Sequence, residues 1–473
     1  MKKFLALLLS ALMLLSLAAC NGSSQPGDTT AAPTEPAATL KVGYAREAYS
    51  PKHNVQLAGY GMATERLATD ILDDVCVTCI AFVDGDGTTA LLFSIDSSSS
   101  GGQTTTQTLR AVSKATGVPV ENMFYSSTHT HNGPYNVAAA DELKKASVAA
   151  ATAALENAKP AEMFIGSTNT DNLNFVRHYK MSEGGAVGDN HGVILPGATR
   201  VGHMTEADSQ MQLVKFVREG EKDIIMMNWQ AHPTLAAGNY YTMISADYIG
   251  TCRQYMEKEA NCNFVYFQGA SGNLNAFSQI DGENDIGRNH VKHGETLAKT
   301  AIAALGSLTP AGTDAIKLEN RVFVATNAKN SPEEMEMLNV YLDVIGRGGS
   351  DDEAELATDS LINSNWEVIS IQARAKNTKE TTDISILAMT IGDLSFVGAP
   401  YEMFDTNGMY IKENTPFDMT FILGYCNDGH GYIASEYAFE YGCYEADTRE
   451  FVQGTAEALA DEYLDMLGAL KGE

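Results

Sequence analysis

The stretch YSSTHTHNGP, residues 125–134, carries two of the chain's ten histidines, His129 and His131, between small hydroxyl residues and a Gly-Pro turn. Imidazoles in such a loop can ligate a metal, work as an acid–base pair, or serve as ordinary polar residues. A third imidazole, His232, stands in NWQAHPT, and a carboxylate, Glu402, in GAPYEMF. A catalytic zinc takes three protein ligands, usually neutral His nitrogens with a carboxylate, and keeps one position open. His129, His232 and Glu402 supply that set. Each also has a plainer reading. A lone His in a Ser/Thr-rich loop is more often hydrogen-bonded structure, and a Glu just after a Pro is an ordinary first-turn helix residue.

The surrounding elements decide which reading is better. CIAFVDGDGTTALLFSID reads as a hairpin about a Gly-Asp-Gly turn. TTQTLRAVSKATG predicts a helix with a Gly cap, and VPVENMFYSSTHTH a strand that delivers His129 and His131. DELKKASVAAATAALENAK predicts a helix, and DIIMMNWQAHP a buried strand running into His232. SADYIGTCRQYMEKEA predicts a helix capped by its Ser, and NFVYFQGASGNLN a strand ending in a Gly-rich turn. DISILAMTIGDLSFVGAPYEMF predicts two strands and a helix start, and DTREFVQGTAEALADEYLDMLGAL a final helix. This mixture indicates an α/β chain: one large domain of mixed sheets flanked by helices, with a metal site at strand ends. Sites on loops at the ends of a rigid sheet are the common arrangement for enzymes.

The N-terminus, MKKFLALLLSALMLLSLAAC, has two lysines, an apolar run and small residues at a cut site. It reads as a signal peptide over residues 1–19. LAAC has the form of a bacterial lipobox, so Cys20 is expected to carry the lipid. Two acyl chains, at about 0.8 kcal/mol per buried methylene, anchor a protein firmly. Residues 20–39, rich in Ser, Thr, Pro, Ala and Gly, read as a disordered tether. The body, residues 40–473, is therefore expected at the extracellular face of the cell membrane. A net charge of −28 argues against a nucleic-acid partner, because phosphate binding needs clustered Lys and Arg. CVTC, residues 76–79, lies in a strand, where positions three apart face opposite sides, so it makes a poor zinc pair. Cys252–Cys262 and Cys426–Cys443 are candidate disulfides of open pairing. His290 and His293 share a helix face at i, i+3, which reads as a solvated face rather than a metal pair. Nothing in the sequence fixes the oligomeric state.

From about residue 40 onward the chain resembles the N-terminal catalytic domain of the neutral (non-lysosomal) ceramidase family. The family's THTHSGP stands here as THTHNGP, its HP after a Trp-containing strand as NWQAHPT followed by ISADYIG, its VPGEF as APYEM, and its late GY…YE segment as GHGYIASEYAFEYGCYE. The resemblance implies Zn2+ as cofactor, held by His129, His232, Glu402 and Tyr432. It implies a substrate-contacting role for Tyr444, twelve residues after Tyr432, and for Arg177 in NFVRHYKM. His131 falls outside the family's primary ligands and reads as a supporting or substrate-facing residue. The implied activity is extracellular hydrolysis of the amide bond of a ceramide-like or other N-acyl lipid, by metal-activated water.

Two departures qualify that expectation. Asn275, in SGNLNAF, occupies the place of the family's proposed catalytic serine, and Ser271 lies four residues too early. Asparagine is no nucleophile, but it can donate to an oxyanion or orient a water. A counterpart of the family's additional C-terminal immunoglobulin-like domain is not expected. The alternatives are a zinc hydrolase of another amide or ester, or a substrate-binding lipoprotein of the same fold without catalysis.

Overall fold

Near-continuous apolar strands, whose side chains point alternately to two buried faces, build two mixed sheets that share one core. The computed structural model describes residues 40–473 except 52–53, 61–65, 190–191, 193, 195, 281, 284–285, 314, 359–361 and 363–364. The expected leader, Cys20 and the tether lie outside the described residues. Among these residues no helix is long and apolar enough to cross a membrane.

The larger sheet contains β1 (Lys41–Ala48), β2 (Cys76–Val83), β3 (Thr89–Ile95), β4 (Met123–Ser127), β5 (Lys159–Asn169), β6 (Gln210–Arg218), β7 (Ile224–Trp229) and β8 (Asn263–Gln268). Their order is β8-β7-β6-β5-β1-β2-β3-β4, with the short strand Thr309–Ala311 added beside β5. The smaller sheet runs β9 (Ile316–Thr326), β10 (Thr381–Ile391), β11 (Leu394–Gly398), β12 (Met419–Leu423). Three neighbouring pairs are parallel: β3 with β4, β7 with β8, and β11 with β12.

Side chains on one face of each sheet interdigitate. Ile80, Phe82, Leu92, Phe124, Phe216, Met226 and Phe267 of the larger sheet meet Leu387, Met389, Phe396, Phe421 and Leu423 of the smaller. The alternate residues of β2 and β3, including Val77, Cys79, Leu91 and Phe93, turn to the other face. There they pack on α1 (Gly102–Thr116) and α2 (Ala140–Glu156). Beside them α3 (Asp247–Glu259) and α4 (His290–Ala304) cover β6, β7 and β8. On the far side, α5 (Asp405–Asn414) and α6 (Thr455–Lys471) cover the smaller sheet. The result is helix, sheet, sheet, helix, as expected for apolar faces that each need a partner.

Several sequence expectations hold residue by residue. The 80s hairpin pairs Val83 with Thr89, and α1 ends at Gly117 with φ of 78°. Others are corrected. The last helix begins only at Thr455, because Gly454 sits at φ of 84° and breaks the run. The helix N-cap before α3 is Ala246, while Ser245 Oγ accepts the Asp247 N–H from one residue earlier. The six cysteines from Cys76 to Cys443 are free, buried thiols. Cys426 belongs to the core between the sheets and Cys443 to a separate cluster with Phe404 and Ala446, so no disulfide joins them. Cys252 and Cys262 pack as apolar residues in the α3–α4 layer. His290 and His293 do not form a solvated face. Gly294 lets α4 press against α3, where a Cβ would lie 2.3 Å from the Tyr248 carbonyl oxygen. That contact turns both imidazoles inward, His293 onto the Leu173 carbonyl at 2.8 Å and His290 against Tyr240.

Candidate metal centre

The carboxyl ends of the three parallel strand pairs meet at one place, the usual location of ligand sites in α/β sheets. His129 follows β4 by two residues and His232 follows β7 by three. Glu402 follows β11, and Tyr432 follows β12. Backbone pairing fixes their spacing. His232 bridges Asn275 in the loop after β8, and Glu402–Met403 pairs in parallel register with Tyr432–Ile433. The His131 N–H donates to the Pro233 carbonyl, tying the THTH loop to the residue after His232. Gly272 sets the separation between His232 and Glu402. Its N–H donates to the Met403 carbonyl at 2.7 Å, and a Cβ there would lie 2.6 Å from the Glu402 carbonyl oxygen.

Nitrogen lone pairs converge as a result. The ring nitrogens of His129, His131 and His232 lie within 4.8 Å of one another. His232 Nδ1 donates to the carbonyls of Ser271 (2.9 Å) and Leu274 (3.1 Å), and His129 Nδ1 faces the carbonyl of Ser98. These partners assign both protons to Nδ1 and leave Nε2 as a lone pair. Each such Nε2 faces a carboxylate oxygen: Glu402 Oε2 is 3.3 Å from His232 and 3.5 Å from His129. Two acceptors at that distance repel unless a cation or proton lies between them. His232 Nε2 is buried and makes no hydrogen bond. A buried nitrogen acceptor without a partner is costly, which is why such atoms mark ligand positions.

Electrostatics agrees with a metal. Burial lowers the His129 pKa to about 4 even though Glu402 pulls it up. Burial, reinforced by His129 and His232, takes His131 well below the usual range. Burial pushes the Glu402 carboxyl up, but His129, His232 and Arg177 outweigh it and the net shift is downward. Burial thus favours neutral imidazoles at His129 and His131, the protonation state that metal ligation requires. The set fits a divalent cation such as zinc.

The remaining expected residues gather on one side. His131 is closer than anticipated: its Nε2 lies 3.1 Å from His129 Nε2, inside the convergent group rather than behind it. Tyr432 presents its hydroxyl to Arg177 Nη2 at 3.0 Å, and Tyr444 meets the Tyr432 ring edge-on at 5.8 Å. Burial keeps both phenols protonated, well above the ordinary range. Arg177 reaches the site because its N–H donates to the Asn273 carbonyl within a short ladder pairing Leu274–Asn275 with Phe175–Val176. The Asn275 side chain donates to Asp189 Oδ2 at 2.9 Å. Ser271 is fully buried, and its hydroxyl accepts from Gln268 Nε2 at 2.8 Å.

Residues that sequence reasoning missed complete the site. Glu445 accepts from Arg177 Nε at 2.8 Å and lies 2.8 Å from His178 Nε2, with His178 and Glu445 almost wholly buried. Their chain positions beside Arg177 and Tyr444 were the only signal. Tyr425 stacks on His129 and has no local signature at all.

The fold is that of solved neutral ceramidases. The crystal structure of neutral ceramidase from Pseudomonas aeruginosa matches over 92% of this chain and 75% of that chain, with a TM-score of 0.69 and 17% sequence identity. A structure described as ceramidase complexed with C2 matches over 92% of this chain and 76% of that one, with a TM-score of 0.66 and 16% identity. No family model and no curated protein matches the sequence.

Proposed function

We propose that the protein is a zinc-dependent hydrolase that cleaves the amide bond of an N-acyl, ceramide-like substrate. The observation that carries this reading is the convergence of Nε2 lone pairs and a carboxylate oxygen around a buried, unpartnered His232 Nε2. The shared fold with solved ceramidases supports the choice of chemistry. His129, His232, Glu402 and Tyr432 would hold the ion, with His131 adjacent. Zinc there would supply Lewis acidity toward a carbonyl oxygen and lower the pKa of water toward about 7.

The chain's own groups cover the rest of amide hydrolysis, which needs oxyanion stabilisation and a proton for the departing nitrogen. Arg177, held rigidly by Glu445, brings fixed positive charge and N–H donors beside Tyr432. Tyr444, protonated, is a hydroxyl donor. His131, neutral at pH 7, can accept and pass a proton. No serine takes the role of nucleophile at this position. Asn275 has no nucleophilic atom, and Ser271 is committed to buried hydrogen bonds. These two residues support attack by water rather than through an acyl-enzyme.

One observation favours a more polar substrate than ceramide. Asn275, Asp189 and Gln279 form a hydrogen-bonded polar wall next to His232. A polar N-acyl amine or an ester is therefore the second reading. The body is proposed to act outside the cytoplasmic membrane, held there by lipid on Cys20. The test is metal analysis of the purified body, paired with hydrolysis of N-acyl-sphingosine, short N-acyl amines and matching esters. About one zinc per chain and amide cleavage are expected. Zinc without cleavage of any of these would favour a binding protein, and absence of bound metal would sink the reading.

A further inference from the structure

This inference rests on the metal reading above and concerns what aligns its ligands. We infer that Tyr425 is a positioning residue of the centre, a side chain that ties the segments of His129, Glu402 and His232 together. Its ring is buried and lies flat on the His129 imidazole, with centroids 3.9 Å apart and planes 13° from parallel. Its hydroxyl donates to Glu402 Oε2 at 3.1 Å. The same hydroxyl lies 3.4 Å from Ser271 Oγ, and the Ser271 carbonyl accepts the proton of His232 Nδ1.

The direction of the hydrogen bonds supports this role. The Glu402 carboxylate only accepts, so Tyr425 is the donor. Ser271 Oγ accepts from Gln268 Nε2 and has its own proton left for the Tyr425 oxygen. Gln268 Nε2 also donates to the Ala231 carbonyl, which fixes the orientation of that amide. A run of donors from Gln268 through Ser271 and Tyr425 thus ends on the carboxylate, and such chains strengthen each member.

The backbone is bent to serve this placement. Tyr425 has φ of 52° and His129 φ of 65°, left-handed conformations that non-glycine residues seldom adopt. The adjoining residues join the two sheets. Cys426 bridges Ser126, and the Asn427 side chain accepts the Tyr125 N–H at 2.6 Å. A tyrosine needed only to fill the core would require neither the hydroxyl contact nor the stacked geometry.

The test is zinc affinity, measured by chelator competition on the purified body. Tyr425→Phe keeps the ring and removes only the donor, and it is expected to weaken zinc binding about 10- to 100-fold. The melting temperature of the metal-free protein should stay close to wild type. Ser271→Ala cuts the donor chain one link earlier and should weaken binding by a smaller factor, which keeps the test open if the first variant folds poorly. Affinities within about threefold of wild type in both variants overturn the inference while leaving the metal centre intact. Wild-type protein that binds no zinc overturns the metal reading, and this inference with it.

Discussion

Replacement of His232 by alanine is expected to leave the purified protein without zinc and to cut hydrolysis about a thousandfold or more, since a metal's contribution is several kcal/mol of barrier. The reason is geometric. His232 is fully buried, its Nδ1 is spent on two carbonyls, and its Nε2 has no hydrogen-bond partner. Everything about the residue except that one lone pair is already used. Alanine also opens a cavity, so a gentler companion is needed. Glu402→Gln preserves volume while removing the negative charge between two imidazoles, and it should lose metal in the same direction. Elemental analysis and steady-state kinetics on both variants decide the matter. Retention of stoichiometric zinc in both would show that the convergent nitrogens are structural.

A second large effect is expected at Glu445. The carboxylate is shared by Arg177 and His178, and all three are at least mostly buried. Removing one member of a buried ion network leaves the others uncompensated, which costs about 3–5 kcal/mol. Glu445→Ala should therefore lower the unfolding free energy by that order. It should also reduce turnover, because Arg177 loses the contact that aims it at Tyr432. Denaturant unfolding measures the first effect, and an unchanged midpoint would count against it. The pH dependence has a definite sign. Burial pushes the Glu445 carboxyl up, but His178 and Arg177 outweigh it and hold it far below the usual range. A depressed folded pKa means the stabilisation is complete above the unfolded value, about 4.3, and is lost only as pH falls below it. The stability gap between wild type and Glu445→Gln should accordingly shrink as pH falls below about 4.

Strand ends were the legible part of this protein. The hairpin at 76–95, the Gly117 cap and the strand running into His232 follow from local periodicity and turn chemistry, and these elements carry His129 and His232 to the site. Glu402 stood out as a carboxylate after an apolar strand and Tyr432 through motif resemblance, and their mutual placement depends on a two-residue parallel ladder too short for any periodicity. Tyr425 was invisible because its role needs β4, β8 and β12 to end together, a fact of tertiary structure alone. His178 and Glu445 were hidden for the same reason, lying 267 residues apart in sequence. His293 misled because its polar neighbours suggested solvent, whereas Gly294 let a second helix approach and close over it.

The sandwich has a consequence for folding. His129 and His232 hang from the larger sheet, Glu402 and Tyr432 from the smaller, so an ion held by all four is a rivet through both layers. Its binding energy becomes cohesion between sheets: at a free zinc concentration of 100 times Kd, about 2.7 kcal/mol is added to the folded state. The melting temperature of the wild-type body should then climb with added zinc, while that of the His232→Ala protein stays level. Equal responses in the two would mean that the rivet joins nothing. If the responses differ, the protein hardens only where zinc is supplied, and starvation for the metal loosens the join between its two sheets.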